Sequence, residues 1–585
     1  MVTRFSPRKF YLASVLSWVI TAVVFPACAD TLHYYAEFNA GLNPWQAAEE
    51  KNFEEVFKNY EFFTIVYSND GSELEVSHYI KGAVTDVSHW RLQSDGSLLA
   101  LDSSGQEAAG EAGPDAKRLY LQHCANCHGV DRLGIAGPAL LPENLGRLRK
   151  AEAVQVIRDG RPATQMPPFG KQLDMAAINA LVDFIFTPPE VAPSWNSESI
   201  RASHVVLHAP GSLPDKPKFS ADPLNLFLVV EAGDHHVTVL DGDRLEPIYR
   251  FASRYALHGG LKYSPDGRYV YLASRDGWIS KFDIYNLALV AEIRVGINTR
   301  NVAVSGDGRT VLAGNYLPET LVLLDAADLS LLRVIPVADS SGKSSRVSAV
   351  YQAEPRASFV AALKDVPEVW EIQYEKPDYP VRKIRLQRVL DDFFFNRDYT
   401  LLIGADRAQN GGQVIDLESG RQVAELPLDG MPHLGSGIIW DYQGHPVMAT
   451  PNLKQGLVTV IDMDTWKVVR QLETLGPGFF MRSHENTPYA WTDVFFGPNK
   501  DVMHIFDKRT LEMVKTIRPE PGKTSGHVEF TRDGRYALVS LWEMDGALIV
   551  YDAATLEEVK RIPMCKPSGK YNVYNKINRS EGTSH

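Results

Sequence analysis

From about residue 200 onward the chain alternates short apolar runs with polar turns, and the alternation keeps a register. Strand-like segments closing on an acidic residue recur: VTVLD at Asp241, ISKFD at Asp283, LVLLD at Asp325, EVWE at Glu371, QVID at Asp416, VTVID at Asp462, MHIFD at Asp507 and ALIVYD at Asp552. Successive acids lie roughly 42 to 46 residues apart, the length of four strands with their turns. Most acids are followed by a turn and another strand, as in DIYNLALVAEI and DAATLEEVKRI. Several repeats carry a turn before it, such as Ser264 to Tyr269 (SPDGRY) or Thr531 to Tyr536 (TRDGRY). Eight slots predict an eight-bladed β-propeller over 200–585.

The first third of the chain follows other periods. Pro44 to Tyr60 has helical spacing with Asn43 as N-cap. Phe62 to Tyr67, Leu74 to Tyr79 and Leu98 to Leu101 alternate as strands between Asn69-Asp70-Gly71 and Ser94-Asp95-Gly96 turns. These elements predict a small α+β module over 30–110, whose histidines His33, His78 and His89 fit strand positions. A Ser, Gly, Ala and Glu-rich linker follows. Pro114 to Gln122 and Asp174 to Phe186 read as helices bounding a mainly α domain at 115–190. Pro188, Pro189 and Pro193 stiffen the connection to the propeller.

Inside that helical domain lies Cys124-Ala125-Asn126-Cys127-His128. Cys-x-x-Cys-His is the attachment pattern of a c-type heme. The two thiols form thioethers, and the adjacent imidazole becomes an axial iron ligand. A redox Cys-x-x-Cys or half a zinc site fits less well, because no second cysteine pair exists. The Pro-bounded Met166 then supplies a sixth ligand, and motif, Met loop and closing helix follow the order of a class I cytochrome c. The fold class expected is therefore a mainly α cytochrome c domain, then an all-β eight-bladed propeller, with a small α+β module in front.

Composition narrows the compartment and partners. A formal net charge of -12 disfavours a nucleic-acid backbone. Arg4, Arg8 and Lys9 precede an apolar run from Phe10 to Phe25 and then Ala27-Cys28-Ala29. That is the layout of a secretory signal peptide over 1–29, and the run is short for a full membrane span. Removing it leaves Cys124, Cys127 and Cys565, so with two thiols on heme no disulfide is expected. A periplasmic protein is the expectation.

Loops at one mouth of a propeller converge on whatever it binds. His258 (RYALHGG), His433 (GMPHLG) and His527 (TSGH) each lead into a blade's first strand, so all three face the same end of the channel. With cytochrome first and propeller second, ALH before the second blade and KPSGKYNVYNK from Lys566 to Lys576, the chain resembles the cytochrome cd1 nitrite reductase family over about 116–576. The resemblance implies heme d1 in the propeller mouth with His258 as iron ligand, and Arg254, Arg275 and Arg300 toward its carboxylates.

One departure redirects the implied activity. Nitrite reductases of this family place two histidines above the d1 iron to protonate nitrite. Here Lys364 and Asp391 stand in the matching segments AALKDVPE and VLDDFF. Near neutral pH a lysine holds its proton and an aspartate has already lost its own, so neither relays protons as imidazole does. GDHHVTVLDGD and ASRDGWISKFD resemble instead the maturation branch of the family, the dihydro-heme d1 dehydrogenases. That branch implies oxidation of a propionate of dihydro-heme d1 to an acrylate, with electrons leaving through heme c to an external acceptor such as another c-type cytochrome. His433, His527 and Tyr571 are the candidate base and positioning groups. A heme d1 carrier serving cytochrome cd1 nitrite reductase, or a nitrite reductase with an altered distal side, are the alternatives.

Overall fold

The computed structural model describes residues 20–23, 31–36, 61–67, 73–80, 83–92, 98–101, 114–135, 137–145, 148–160, 166–254, 256–257, 260–405, 410–426, 428 and 430–578. The expected helix at 44–60 and most of the leader lie outside them. Two compact units form, one within residues 1–125 and 173–184, the other from 126–172 and 185–585. Among the described residues no helix is long and apolar enough to cross a membrane.

The first unit contains a six-stranded antiparallel meander: Ile20–Val23, Thr31–Ala36, Glu61–Tyr67, Glu73–Ile80, Ala83–Leu92 and Leu98–Leu101. Three of these are the strands that alternation predicts. Ala83–Leu92 escapes the pattern because its polar residues fall out of period, and Ile20–Val23 lies inside the segment expected as leader. His33, His78 and His89 all sit in strands. The unit also holds the helix Ala116–His123, whose first turn is capped by Asp115 accepting from the Arg118 N–H at 3.1 Å. Tyr120 on that helix is buried and meets Phe184 at 5.4 Å between ring centroids.

The second unit is the propeller with residues 126–172 folded onto it. Eight four-stranded antiparallel sheets follow one another, and a short strand, Val205–Val206, adds to the edge of the second. The first sheet is closed by the chain's last strand, Pro567–Asn572, which pairs with Leu226–Glu231. Joining the two ends of the propeller in one sheet removes the open edges a linear array would leave. Strands buried between neighbouring blades read as continuous apolar runs, such as Leu226–Glu231 and Ser358–Leu363. Outermost strands alternate exposed and half-buried residues, as in Arg421–Leu426 and Glu512–Ile517.

The recurring acid has a local cause. Asp241, Asp325, Asp416, Asp462, Asp507 and Asp552 each end a strand and accept backbone N–H groups two or three residues ahead, at 2.6–3.2 Å. These are Asx turns, which bend the chain into the outer strand. Glu371 lies inside its strand, Glu368–Gln373, and pairs with Arg356 and Arg382 instead. The period survives because a strand is needed there, while the turn chemistry is dropped.

Segment 126–172 docks on blades 2 and 3. The Arg294 guanidinium donates to the Leu133 carbonyl at 2.6 Å and lies over the Trp195 ring at 4.6 Å. Ala139 and Leu141 pack on Ile297, with Leu133, Trp195 and Leu317 around them.

Candidate functional site

Two centres carry the chemistry. In the heme-attachment motif, the Cys124 N–H bonds the Tyr120 carbonyl at 2.8 Å, and Ala125–His128 form one helical turn. Among the described residues, Cys124, Cys127 and Cys565 form no disulfide. His128 is buried, and its Nδ1 donates to the Pro138 carbonyl at 2.7 Å. Burial lowers the His128 pKa, against a raising effect of that carbonyl. A neutral ring anchored through Nδ1 presents Nε2 as a metal ligand. A Cβ on Gly137 would come within 2.7 Å of His128 Cε1, so only glycine admits the ring there. These features fit a c-type heme with His128 as its axial ligand. Met166 lies in an extended segment just past residues 161–165, which are outside the described set.

The second centre is the propeller mouth. The innermost strands of neighbouring blades lie against one another, as Asn298–Val304 does on Val347–Ala353 and Ser525–Phe530 on Pro567–Asn572. His433 precedes Ile438–Tyr442, His527 lies in Ser525–Phe530, and Tyr571 lies in Pro567–Asn572. His258 falls outside the described residues.

A line of aromatic contacts joins these groups. His433 meets Phe479 at 4.0 Å, Phe479 meets Phe480 at 4.5 Å, Phe480 meets His527 at 4.8 Å, and His527 meets Tyr571 at 5.3 Å. Phe495 and Trp542 back this strip.

The two histidines differ in their polar partners. His433 Nδ1 donates to the Phe479 carbonyl at 2.6 Å, and its Nε2 lies 3.7 Å from Asp392 Oδ2. Nδ1 therefore carries a proton, while Asp392 lies beside Nε2 without closing a hydrogen bond. Asp392 is fixed by the Gly435 N–H at 2.6 Å. His527 is buried, and its Nδ1 has no hydrogen-bond partner. Burial drives the His527 pKa well below the usual value, with Lys570, Arg482 and Lys576 adding to the effect. Its ring is neutral. Its backbone is held at φ 52° while Lys570 donates to its carbonyl.

Tyr571 is half-buried, and its phenol is pushed up to about 12, mainly by burial. Tyr263 anchors it by donating to its carbonyl at 2.8 Å. Behind these groups lies a cationic interior. Arg482 pairs with Glu529 at 3.2 Å, both buried, and burial lowers Lys262 to about 8 with Arg482 adding to the effect.

The predicted arginines divide. Arg254, expected toward a substrate carboxylate, is engaged within the protein. It forms two hydrogen bonds to the buried Glu292, with Nε at 2.9 Å, and stacks on Trp278 at 4.0 Å. A guanidinium committed in this way holds blade 2 together. Arg275 and Arg300 are half-buried where blades 2 and 3 meet the mouth, and Arg300 lies close enough to Tyr351 to moderate the rise that burial causes in its pKa.

Lys364 and Asp391 form an ion pair with each other, the carboxylate buried and the ammonium nearly so. The two groups in the positions expected for a nitrite reductase's acid pair thus neutralise one another. Asp392 and Asp493 were not singled out by sequence. Asp392 is one residue from Asp391, and Asp493 ends the apolar strand YAWTD where a turn acid would be unremarked.

Comparison with known proteins gives a consistent picture. Residues 221–576 match the family model described as Cytochrome D1 heme domain, and residues 111–185 match Cytochrome C oxidase, cbb3-type, subunit III. Dihydro-heme d1 dehydrogenase of Pseudomonas aeruginosa PAO1 is 60% identical over 492 residues, 84% of this chain and 98% of that protein. A nitrite reductase of Stutzerimonas stutzeri is 25% identical over 550 residues, 82% of this chain and 96% of that one. A solved structure of dihydro-heme d1 dehydrogenase NirN in complex with DHE aligns with TM-score 0.76 at 60% identity, covering 79% of this chain and 99% of that one.

Proposed function

The chain belongs to the cytochrome D1 heme domain family, and from that premise we propose that it is a dihydro-heme d1 dehydrogenase. Dihydro-heme d1 is its substrate. The reaction converts a propionate, –CH2–CH2–COO⁻, to an acrylate, –CH=CH–COO⁻, releasing two protons and two electrons. The observation that carries this reading is the pairing of Lys364 with Asp391, which takes the nitrite-protonating positions out of use, opposite a neutral His527 beside Tyr571.

The residues divide the work. His527, whose ring burial keeps uncharged, accepts a proton from the propionate carbon. Tyr571 keeps its proton, since its pKa lies far above working pH, and so positions substrate by donating a hydrogen bond. His433, anchored through Nδ1 on the Phe479 carbonyl and lying beside Asp392, is a positioning group for the substrate. His258 would ligate the tetrapyrrole iron, and Arg275 and Arg300 would be partners for its carboxylates. Heme c would be held by Cys124, Cys127, His128 and Met166 and would supply a one-electron store, so an outside acceptor would take electrons twice per turnover. The acceptor is a c-type cytochrome or similar protein. The compartment is the periplasm, reached by a signal peptide at 1–29, and cytochrome cd1 nitrite reductase receives the finished heme d1.

The test is a single turnover. Anaerobic protein is loaded with dihydro-heme d1, excess oxidant is added, and the acrylate chromophore is followed by absorption and mass, with a loss of two mass units. Binding without conversion would make the protein a carrier. Catalytic nitrite consumption with a reductant would make it a reductase.

A further inference from the structure

The two histidines of the proposed site lie on different blades, yet their backbones meet at one buried carboxylate. Asp493 ends the second strand of blade 7 and is fully buried. Its Oδ1 accepts the N–H of Phe479 at 2.7 Å and of Phe480 at 3.0 Å. The Phe479 carbonyl is the acceptor of His433 Nδ1, and the Phe480 ring packs against His527. The His527 N–H bears on the same carboxylate from blade 8, although Oδ2 completes no well-formed hydrogen bond. A Cβ on Gly526 would sit 2.8 Å from Asp493 Oδ2, so the approach requires glycine beside His527.

We infer that Asp493 is a positioning residue for the dehydrogenation, fixing the 479–480 peptides so that His433 and His527 hold their relative placement. This rests on the acid–base roles proposed above. Burying a carboxylate is unfavourable unless it is hydrogen-bonded. Here the N–H groups of two consecutive residues converge on one oxygen, and burial still pushes the pKa up to about 7. Neither N–H belongs to a regular strand, since the inner strand of blade 7 begins only at Met481. The carboxylate therefore organises a loop that sheet pairing does not. Removing it frees the wall on which both imidazoles rest, and small misplacements of a catalytic group cost rates of the order of 10²-fold.

The experiment compares Asp493→Leu, Asp493→Asn, Gly526→Ala, His433→Ala and His527→Ala in the full heme-loaded protein. Affinity for dihydro-heme d1 and single-turnover conversion are measured separately. Asp493→Leu is expected to slow conversion about 10- to 100-fold while affinity stays within about 3-fold. Asp493→Asn keeps an oxygen acceptor for Phe479 and Phe480 and should recover most of the rate. Gly526→Ala displaces the carboxylate from the other side without removing it, and should slow conversion if Asp493→Leu does not fold.

Wild-type conversion in both Asp493→Leu and Gly526→Ala, with the histidine variants slow, overturns this inference alone. Parallel loss of affinity and rate, or no recovery with Asn, also overturns it, since a general packing role would behave that way. Wild-type rates in both histidine variants would instead sink the acid–base assignment on which it rests.

Discussion

Two arcs of the propeller mouth treat their ionisable groups in opposite ways. On blades 4 and 5, Lys364 and Asp391 close on each other in an ion pair. On blades 6 to 8 and blade 1, His433, His527 and Tyr571 are held by backbone and ring contacts. His527 in particular keeps a nitrogen unpartnered. Burial alone is common to both arcs. What separates the pair from His527 is the partner, an opposite charge, which ends proton transfer, or ring contacts, which leave it open. A site can thus change its reaction on one side while the fold beneath is kept.

The largest expected effect tests the open arc. His527→Ala should lower conversion of bound dihydro-heme d1 by 10²–10⁴-fold, about 3–5 kcal/mol of barrier, with binding near normal. A rate equal to wild type per folded molecule would move the base elsewhere. His433→Ala should cost less rate and more affinity, because a positioning group orients the substrate where a base reacts.

The closed arc should answer in stability instead. Lys364→Met leaves the Asp391 carboxylate buried without its ammonium, which for such pairs costs about 3–5 kcal/mol. The double variant Lys364→Met/Asp391→Leu should recover most of that loss, and denaturant midpoints would show it. Neither change should slow conversion by more than about 3-fold. A large loss of rate in the stable double variant would show that the pair takes part in the chemistry.

His258→Ala should reduce retained tetrapyrrole by about 10-fold or more while leaving heme c content normal. Full retention with an unchanged iron spectrum would remove it as ligand.

The smallest effect is in pH dependence. His527 has a folded pKa well below its unfolded value near 6.5, so it contributes stability above that value that is lost as pH falls through it. Asp493 has the opposite sign. Its folded pKa of about 7 exceeds the unfolded value near 4, so its contribution is full at low pH and declines as pH rises to about 7. Replacing His527 with Gln should flatten the acid side by up to about 1.4 kcal/mol per pH unit. Melting scans of both proteins at pH 5, 6 and 7 would measure it, and parallel curves would place the histidine outside the buried wall.

Sequence alone determined the propeller and the heme motif, because both are written in local spacing. The eight acids keep their period since most of them close a turn on neighbouring N–H groups two or three residues away. Cys124, Cys127 and His128 fall within one stretch of helix and turn, and His433 and His527 announce themselves by standing at the start of blades. Tertiary structure decided everything that depends on partners far along the chain. The closure of residues 567–572 on 226–231, the pairing of Lys364 with Asp391, the capture of Arg254 by Glu292 and the reach of Asp493 to two blades are of this kind. A charged side chain's role is set by what else is buried with it. That depends on packing between blades, which periodicity places in order but does not fill.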